Sequence, residues 1–446
     1  MQDWSGWLLM IFSFSIVLMW KHLRSDRKIL HAIWFCMVLH HAVAFLNAYV
    51  GTVIGTDGDA RSIHSIGVEL AALTEPEWVY GTGQVVYTQV LGFFYRAFGA
   101  SFFFGEELSV LAFTLSCVVL VKLVDILDLR RFRVGIVLLF GLLPSAIIFR
   151  SVTLRESYQA LFLLLSVYWA IRLQNRPSIL ITSFLLMSAF CLAFLHHGLS
   201  SYAVYLIAIS LYWGVFGGKR DVYWPLSIKF LFAGLMVACV ITLAYMLRSY
   251  IIGLEDSGIL SKSTRLSIIS KLSFGRMLEL VEVFRQNAAT IHGRTTYGVV
   301  LDTSSALGLV KTIPIIFAQY MFAPFPWQVG NGIDVYALLE SMLRFVLLFF
   351  AVLSWRGSSS EVRSYYGFLL IIFLSMELMW ALGTINWGTA MRHHVPGYSI
   401  IVLLGAPGLI LIIRKLNSRI FWHGKVNIFQ GRGKFVKPDP KKNEIL

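Results

Sequence analysis

"LRRFRVGIVLLFGLLPSAIIFRSVTLRESYQALFLLLSVYWAIRLQNRP" occupies residues 129–177. It contains two apolar runs, 134–149 and 158–173. Each approaches the ~20 mostly apolar residues needed to cross a bilayer. Arg130, Arg131 and Arg133 precede the first run, and Arg176 follows the second. Between the runs lies "FRSVTLRES" (149–157), with Arg150, Arg155 and Glu156 in one short turn. Lys and Arg in short loops mark the cytoplasmic face. The stretch therefore reads as two spans with a cluster of ions on the far side, where that rule asks for no arginine.

The same pattern extends along the chain. Of 446 residues, 57% are hydrophobic and 14% are charged, and the mean hydropathy is +0.72. Soluble domains carry about 25% charged residues. The composition indicates an all-α, polytopic transmembrane helical bundle and excludes an ordinary soluble enzyme. The net charge of +14 comes largely from short loops and the tail after Ile413. Topology explains it without a nucleic-acid partner. Cys36, Cys117, Cys191 and Cys239 lie in apolar runs without metal spacing, as small buried hydrophobes do. The first apolar run lacks a preceding basic region and a clear small-residue cleavage site, so it reads as a span.

About eleven spans are expected, at 4–20, 29–53, 102–126, 134–149, 158–173, 179–194, 202–216, 225–245, 335–353, 365–382 and 399–413. Basic loops at 21–28, 129–133, 174–177, 217–220 and 356–363, and the tail from Arg414, place the N-terminus outside and the C-terminus in the cytoplasm. The apolar run 307–323 contains Lys311, Pro314 and Gln319. Counting it as a span would invert the loops that follow, so it reads as re-entrant or interfacial. The organisation is a transmembrane catalytic domain (1–413) with outer loops 54–101 and 246–334, then a basic, partly disordered tail (414–446). Segments 85–99 and 263–286 have the amphipathic spacing of helices lying on a membrane surface.

Four outer clusters carry polar groups that are costly beside lipid, and such groups mark function. "GTDGDARSIHSIGVELA" (55–71) holds Asp57, Asp59, Arg61 and His64. Asp59 is either an ordinary helix N-cap or a base at the bilayer surface. In 149–157, Glu156 can pair with Arg150 or Arg155; either this is a structural ion pair, or it leaves the other arginine for phosphate oxygens, which suit the arginine fork. "LHHGLSS" (195–201) has His196 and His197 side by side, a poor spacing for one metal; hydrogen bonding to a hydroxylated ligand and plain interface packing both fit. "NWGTAMRHHVPGY" (386–398) gathers Arg392, His393 and His394. If the four converge, they form a cavity for an anionic phosphate carrier joined to a polar group.

This order resembles the GT-C class of membrane glycosyltransferases. The likeness rests on 55–71 and the segment after it, on "LLPSAIIFRSVTLRES", and on "NWGTAMRHHVPGY". It implies a polyprenyl-phosphate-linked sugar donor and a glycan, lipid or protein acceptor. The reaction would occur at the outer face of the plasma (inner) membrane. Asp59 or Asp57 would be the catalytic base. Arg61, His64, Arg150, Arg155, Glu156, His196, His197, Arg392 and His393 would form the substrate and phosphate site. The class often has an adjacent Asp-Glu pair, whereas Gly58 separates the two aspartates here. No cofactor is assigned. A divalent metal (Mg or Mn) on Asp57 and Asp59 is an option that would need further carboxylates, with Glu75 and Glu77 nearest. The rival readings are a Wzy-type polysaccharide polymerase driven by arginines, a lipid-linked glycan transporter, and a structural scaffold.

Overall fold

A computed structural model describes residues 3–51, 58–74, 79, 81, 83–214, 234, 281–283, 285–286 and 295–421. Asp57, Glu75, Glu77, the run 225–245 except Gly234, most of 263–286 and the tail beyond 421 lie outside the described residues. Regular structure among the described residues is helical, with one isolated bridge between Thr296 and Asn386.

The longer helices are α1 (Trp4–Ile16), α2 (Arg27–Tyr49), α3 (Asp59–Ala72), α4 (Gln84–Phe98), α5 (Phe102–Ile126), α6 (Arg133–Leu142), α7 (Pro144–Ser151), α8 (Glu156–Asn175), α9 (Ile179–Phe194), α10 (His197–Tyr212), α11 (Ala306–Phe322), α12 (Gly332–Gly357), α13 (Ser360–Gly383) and α14 (Trp387–Phe421). Five are long and apolar enough to cross a membrane, and the bent α6–α7 unit raises the total to six. The chain is a multi-pass helical membrane protein, but the expected eleven spans are not all of spanning length. Trp4–Met19, Ile179–Phe194 and Ala306–Phe322 are shorter apolar helices. The run 134–149 breaks at Leu143, where Pro144 starts a new helix and the axes bend by 64°. Proline lacks the N–H to continue the first helix but suits the first turn of the next.

Helix α8 departs for a different reason. It carries Glu156, Gln159, Arg172 and Gln174, and it packs against α5, α9 and α14. Surrounded by protein, it does not need the apolar surface of a lipid-facing helix.

The two ends of the bundle have opposite character. At one end Asp26 pairs with Arg133 at 3.2 Å. There Tyr365 Oη donates to Asn175 Oδ1 at 2.6 Å, and Trp213 Nε1 donates to Ser364 Oγ at 3.0 Å. These contacts gather the basic loops that precede α2, α6 and α13 and follow α8. At the other end Tyr49 Oη donates to Asp3 Oδ2 at 2.9 Å, and Ser101 Oγ donates to Asp3 Oδ1 at 2.5 Å. Trp387 Nε1 donates there to Asp334 Oδ1 at 3.4 Å. The starts of α3, α8, α10 and α14 lie at this second end.

Candidate active site

Asp59 opens α3. Of its two expected roles, N-cap or base, the first is not the one observed: Gly58 is the N-cap, at φ 88°, a conformation suited to glycine. Asp59 falls in the first turn. Its carboxylate instead meets the guanidinium of Arg392, on the first turns of α14. Glu156, in the first turn of α8, takes the other side of that group. Arg392 Nε and Nη2 donate to Glu156 Oε1 at 3.0 and 2.8 Å. One arginine thus joins carboxylates 333 and 236 positions away in sequence. The Asp59 side chain is 62% exposed, that of Arg392 19% and that of Glu156 5%. Acids at these helix starts are also favoured by the positive end of each helix dipole.

Arg155, at the N-cap of α8, is the second cation. Its Nη1 donates to the carbonyl of Leu195 at 3.3 Å. It lies beside Gly83, whose own N–H donates to Phe194 O at 2.7 Å. Leu195 leads into His196, the N-cap of α10, whose Nδ1 accepts from the Gly198 N–H at 3.1 Å. Burial first, and Arg155 next, push the His196 imidazole down to about 4. The ring is therefore neutral at physiological pH. With Nδ1 accepting, its proton resides on Nε2 as a donor. The His196 ring is edge-on to Trp380 at 4.7 Å, and Trp380 stacks on His393 at 4.0 Å. His393 Nδ1 shares a 2.8 Å hydrogen bond with Thr384 Oγ1.

Other expected residues sit elsewhere. Arg150 was assigned to phosphate, yet its side chain is fully buried. It lies over the Phe140 ring at 4.1 Å, and its Nη2 donates to the Val395 carbonyl at 2.6 Å. The α6–α7 bend turns it into the packing, away from the cluster. Nor does Glu156 pair with Arg150 or Arg155, as expected; it pairs with Arg392. His64 Nδ1 is 2.7 Å from Tyr95 Oη, its ring packs edge-on to Phe102, and burial lowers its pKa. Arg61 is exposed on α3, and His197 is exposed on the first turn of α10.

The sequence reading noted His394 but missed the bonds that fix the first turns of α14. His394 Nδ1 bonds Glu377 Oε2 at 2.6 Å, and its Nε2 donates to Tyr320 O at 3.1 Å. Arg344 Nη1 donates to Tyr398 Oη at 2.6 Å, Tyr398 Oη donates to Glu340 Oε2 at 3.0 Å, and Glu340 Oε1 accepts from the Ser145 N–H at 2.7 Å. These bonds lock α14 to α7, α11, α12 and α13. The available signal was ionisable residues inside apolar runs: Glu340 and Arg344 in α12, and Glu377 in α13.

Among the described residues no three His, Cys, Asp or Glu side chains are placed to hold a metal. A guanidinium fills the space between Asp59 and Glu156, and the other carboxylates named for a metal, Asp57, Glu75 and Glu77, lie outside the described residues. The cluster can instead present fixed cations and neutral imidazoles to an anion beside an exposed carboxylate.

No family model and no curated protein matches the chain. Among solved structures it is similar to the archaeal oligosaccharyltransferase AglB from Archaeoglobus fulgidus, in complex with an inhibitory peptide and a dolichol-phosphate. The identity is 10% and the TM-score 0.46, over 91% of this chain and 53% of that one. The chain thus spans about half the length of that neighbour.

Proposed function

We propose that this chain is a membrane glycosyltransferase. It moves a sugar from a polyprenyl-(di)phosphate-linked donor to an acceptor on the extracytoplasmic side, in cell-envelope or exopolysaccharide synthesis. The observation that carries the reading is the meeting of Asp59, Glu156 and Arg392, from three distant segments, at the end of the bundle opposite the basic loops. With those loops in the cytoplasm, the cluster faces outward.

In this reading a donor keeps its isoprenoid in the bilayer and its phosphate at the cluster. The acceptor hydroxyl oxygen attacks the anomeric carbon and forms the new C–O bond. The bond from that carbon to the phosphate oxygen breaks, and its electron pair leaves with the phosphate. Asp59 takes the hydroxyl proton, a contribution worth about 10²–10⁴-fold. Arg392 and Arg155 stabilise the charge that grows on the leaving phosphate. His196 offers a neutral N–H donor, and the stacked Trp380 and His393 make a firm wall.

One observation favours the rival polymerase reading: Asp59 is already held by Arg392, as a mere partner of a phosphate-binding arginine would be. Turnover decides. The purified full-length chain, reconstituted in proteoliposomes, is incubated with a panel of short-chain polyprenyl-phosphate and -diphosphate sugars together with glycan, lipid and peptide acceptors. Transfer is followed as release of the lipid phosphate. The glycosyltransferase reading expects release by the wild type and near-complete loss in both Asp59→Asn and Arg392→Ala. Substantial turnover by Asp59→Asn, with loss only in Arg392→Ala, favours the polymerase. Equal release by all three removes the cluster from the chemistry.

A further inference from the structure

The two carboxylates on Arg392 are not equivalent. Glu156 is almost wholly buried and receives two N–H groups, Nε and Nη2, on one oxygen. Its helix start is fixed on both sides: Ser157 Oγ donates to Arg150 O at 2.9 Å, and Gln159 N donates to Arg155 O at 2.9 Å. Asp59 takes only Nη1 and is 62% exposed. It sits on the first turn of α3, whose chief packing is against α4. Exposed ion pairs are worth about 0–1 kcal/mol, whereas a desolvated, doubly hydrogen-bonded pair is expensive to break. Nη1 is therefore the exchangeable position of the fork, and Nε and Nη2 are its anchor.

While Asp59 Oδ2 accepts from Nη1, the carboxylate is held on the guanidinium and is not free to swing both oxygens toward an acceptor hydroxyl. A phosphate brings more charge and more acceptor oxygens than a carboxylate, and guanidinium groups bind it in fork geometry. We propose that Glu156 is a positioning residue that holds Arg392 by Nε and Nη2, and that a lipid-borne phosphate takes Nη1 from Asp59 and so frees that carboxylate for the acceptor. The inference rests on the lipid-phosphate reading of the site. It adds an order of events: donor binding arms the base, and without donor the base stays paired. No covalent bond changes in this exchange. One ionic hydrogen bond, Arg392 Nη1 to Asp59, is replaced by one from Nη1 to a phosphate oxygen.

The test is the affinity of the full chain in nanodiscs for farnesyl phosphate, measured by isothermal titration calorimetry. Asp59→Asn and Glu156→Gln each remove one negative charge beside Arg392, so simple electrostatics moves both affinities the same way. The exchange predicts opposite signs. Asp59→Asn binds farnesyl phosphate about two- to five-fold tighter, the value of a weak exposed competitor. Glu156→Gln binds at least about ten-fold weaker, because the fork loses its anchor. Arg392→Lys keeps the charge but not the fork, and in that background Asp59→Asn brings no gain. This third variant guards against misfolding of Glu156→Gln. Shifts of the same sign, or no tightening in Asp59→Asn, overturn the inference and leave the lipid-phosphate reading standing. Absence of saturable farnesyl phosphate binding by the wild type overturns that reading and the inference with it. Equal affinity for inorganic phosphate overturns the claim that the ligand is lipid-borne.

Discussion

Gly83→Ala separates backbone strain from cation placement at the site. Gly83 is the N-cap of α4 at φ 71°, ψ −125°, a region open to glycine and costly for other residues, by about 1–3 kcal/mol. A Cβ there would also lie 2.9 Å from Arg155 Nη1, with the next atoms, His196 Cα and Leu195 O, at 3.9 and 4.0 Å. The close contact is thus with the tip of a long side chain, which can swing away. The 3.3 Å bond from Arg155 to Leu195 O is what it would give up. Two separable effects are expected. The unfolding midpoint in nanodiscs falls by an amount matching the backbone cost. Farnesyl phosphate affinity or donor turnover also falls, because Arg155 has left its place. Arg155→Gln should reproduce the second effect with little of the first. A Gly83→Ala protein as stable as the wild type would refute the backbone assignment. Normal binding and turnover in Arg155→Gln would refute the role given to Arg155.

Three further outcomes follow from the same structure. Gly405→Ala places a Cβ 2.2 Å from the Leu347 carbonyl oxygen; with backbone on both sides, α12 and α14 must separate, and the protein loses about 1–3 kcal/mol or more, read as lower thermal stability in detergent. His196 has a folded pKa near 4 against an ordinary 6.5, so its contribution to stability is complete above pH 6.5 and is lost as pH falls toward 4, by about 3 kcal/mol in all; His196→Asn keeps a cap acceptor and should flatten that part of the stability–pH curve, whereas an unchanged slope argues against the buried neutral ring. Topology is read by thiol labelling in a cysteine-free background: Ser65→Cys on α3, where the side chain is exposed, should react from outside intact cells and Ser359→Cys, also exposed, only after permeabilisation, and the reverse pattern would invert the orientation.

Asp59, Glu156 and Arg392 were legible in the sequence because each is an ion at the edge of an apolar run, on the side where the charge rule asks for none. Their mutual pairing was only partly legible. Glu156 has two arginines within a few residues, and local sequence favours either as its partner, but the helix break at Leu143–Pro144 turns Arg150 inward and leaves Glu156 to an arginine 236 positions away. The azimuth of a short helix after a bend is a property of packing. The eleven expected spans are not confirmed, for a similar reason: among the described residues five or six helical units are of spanning length. Hydropathy measures what lipid requires, and α8 is enclosed by other helices, while α6 and α7 share one apolar run between two axes. The bonds of His394 to Glu377 and of Tyr398 to Glu340 and Arg344 were invisible because each needs the register of one helix against another.

The most direct test is an experimental structure of the wild-type chain with bound farnesyl phosphate. The account predicts the phosphate within hydrogen-bond distance of Arg392 Nη1 and near Arg155, Glu156 still on Nε and Nη2, and Asp59 released from the guanidinium. A phosphate bound elsewhere in the bundle, with Asp59 and Glu156 both still on Arg392, would contradict it.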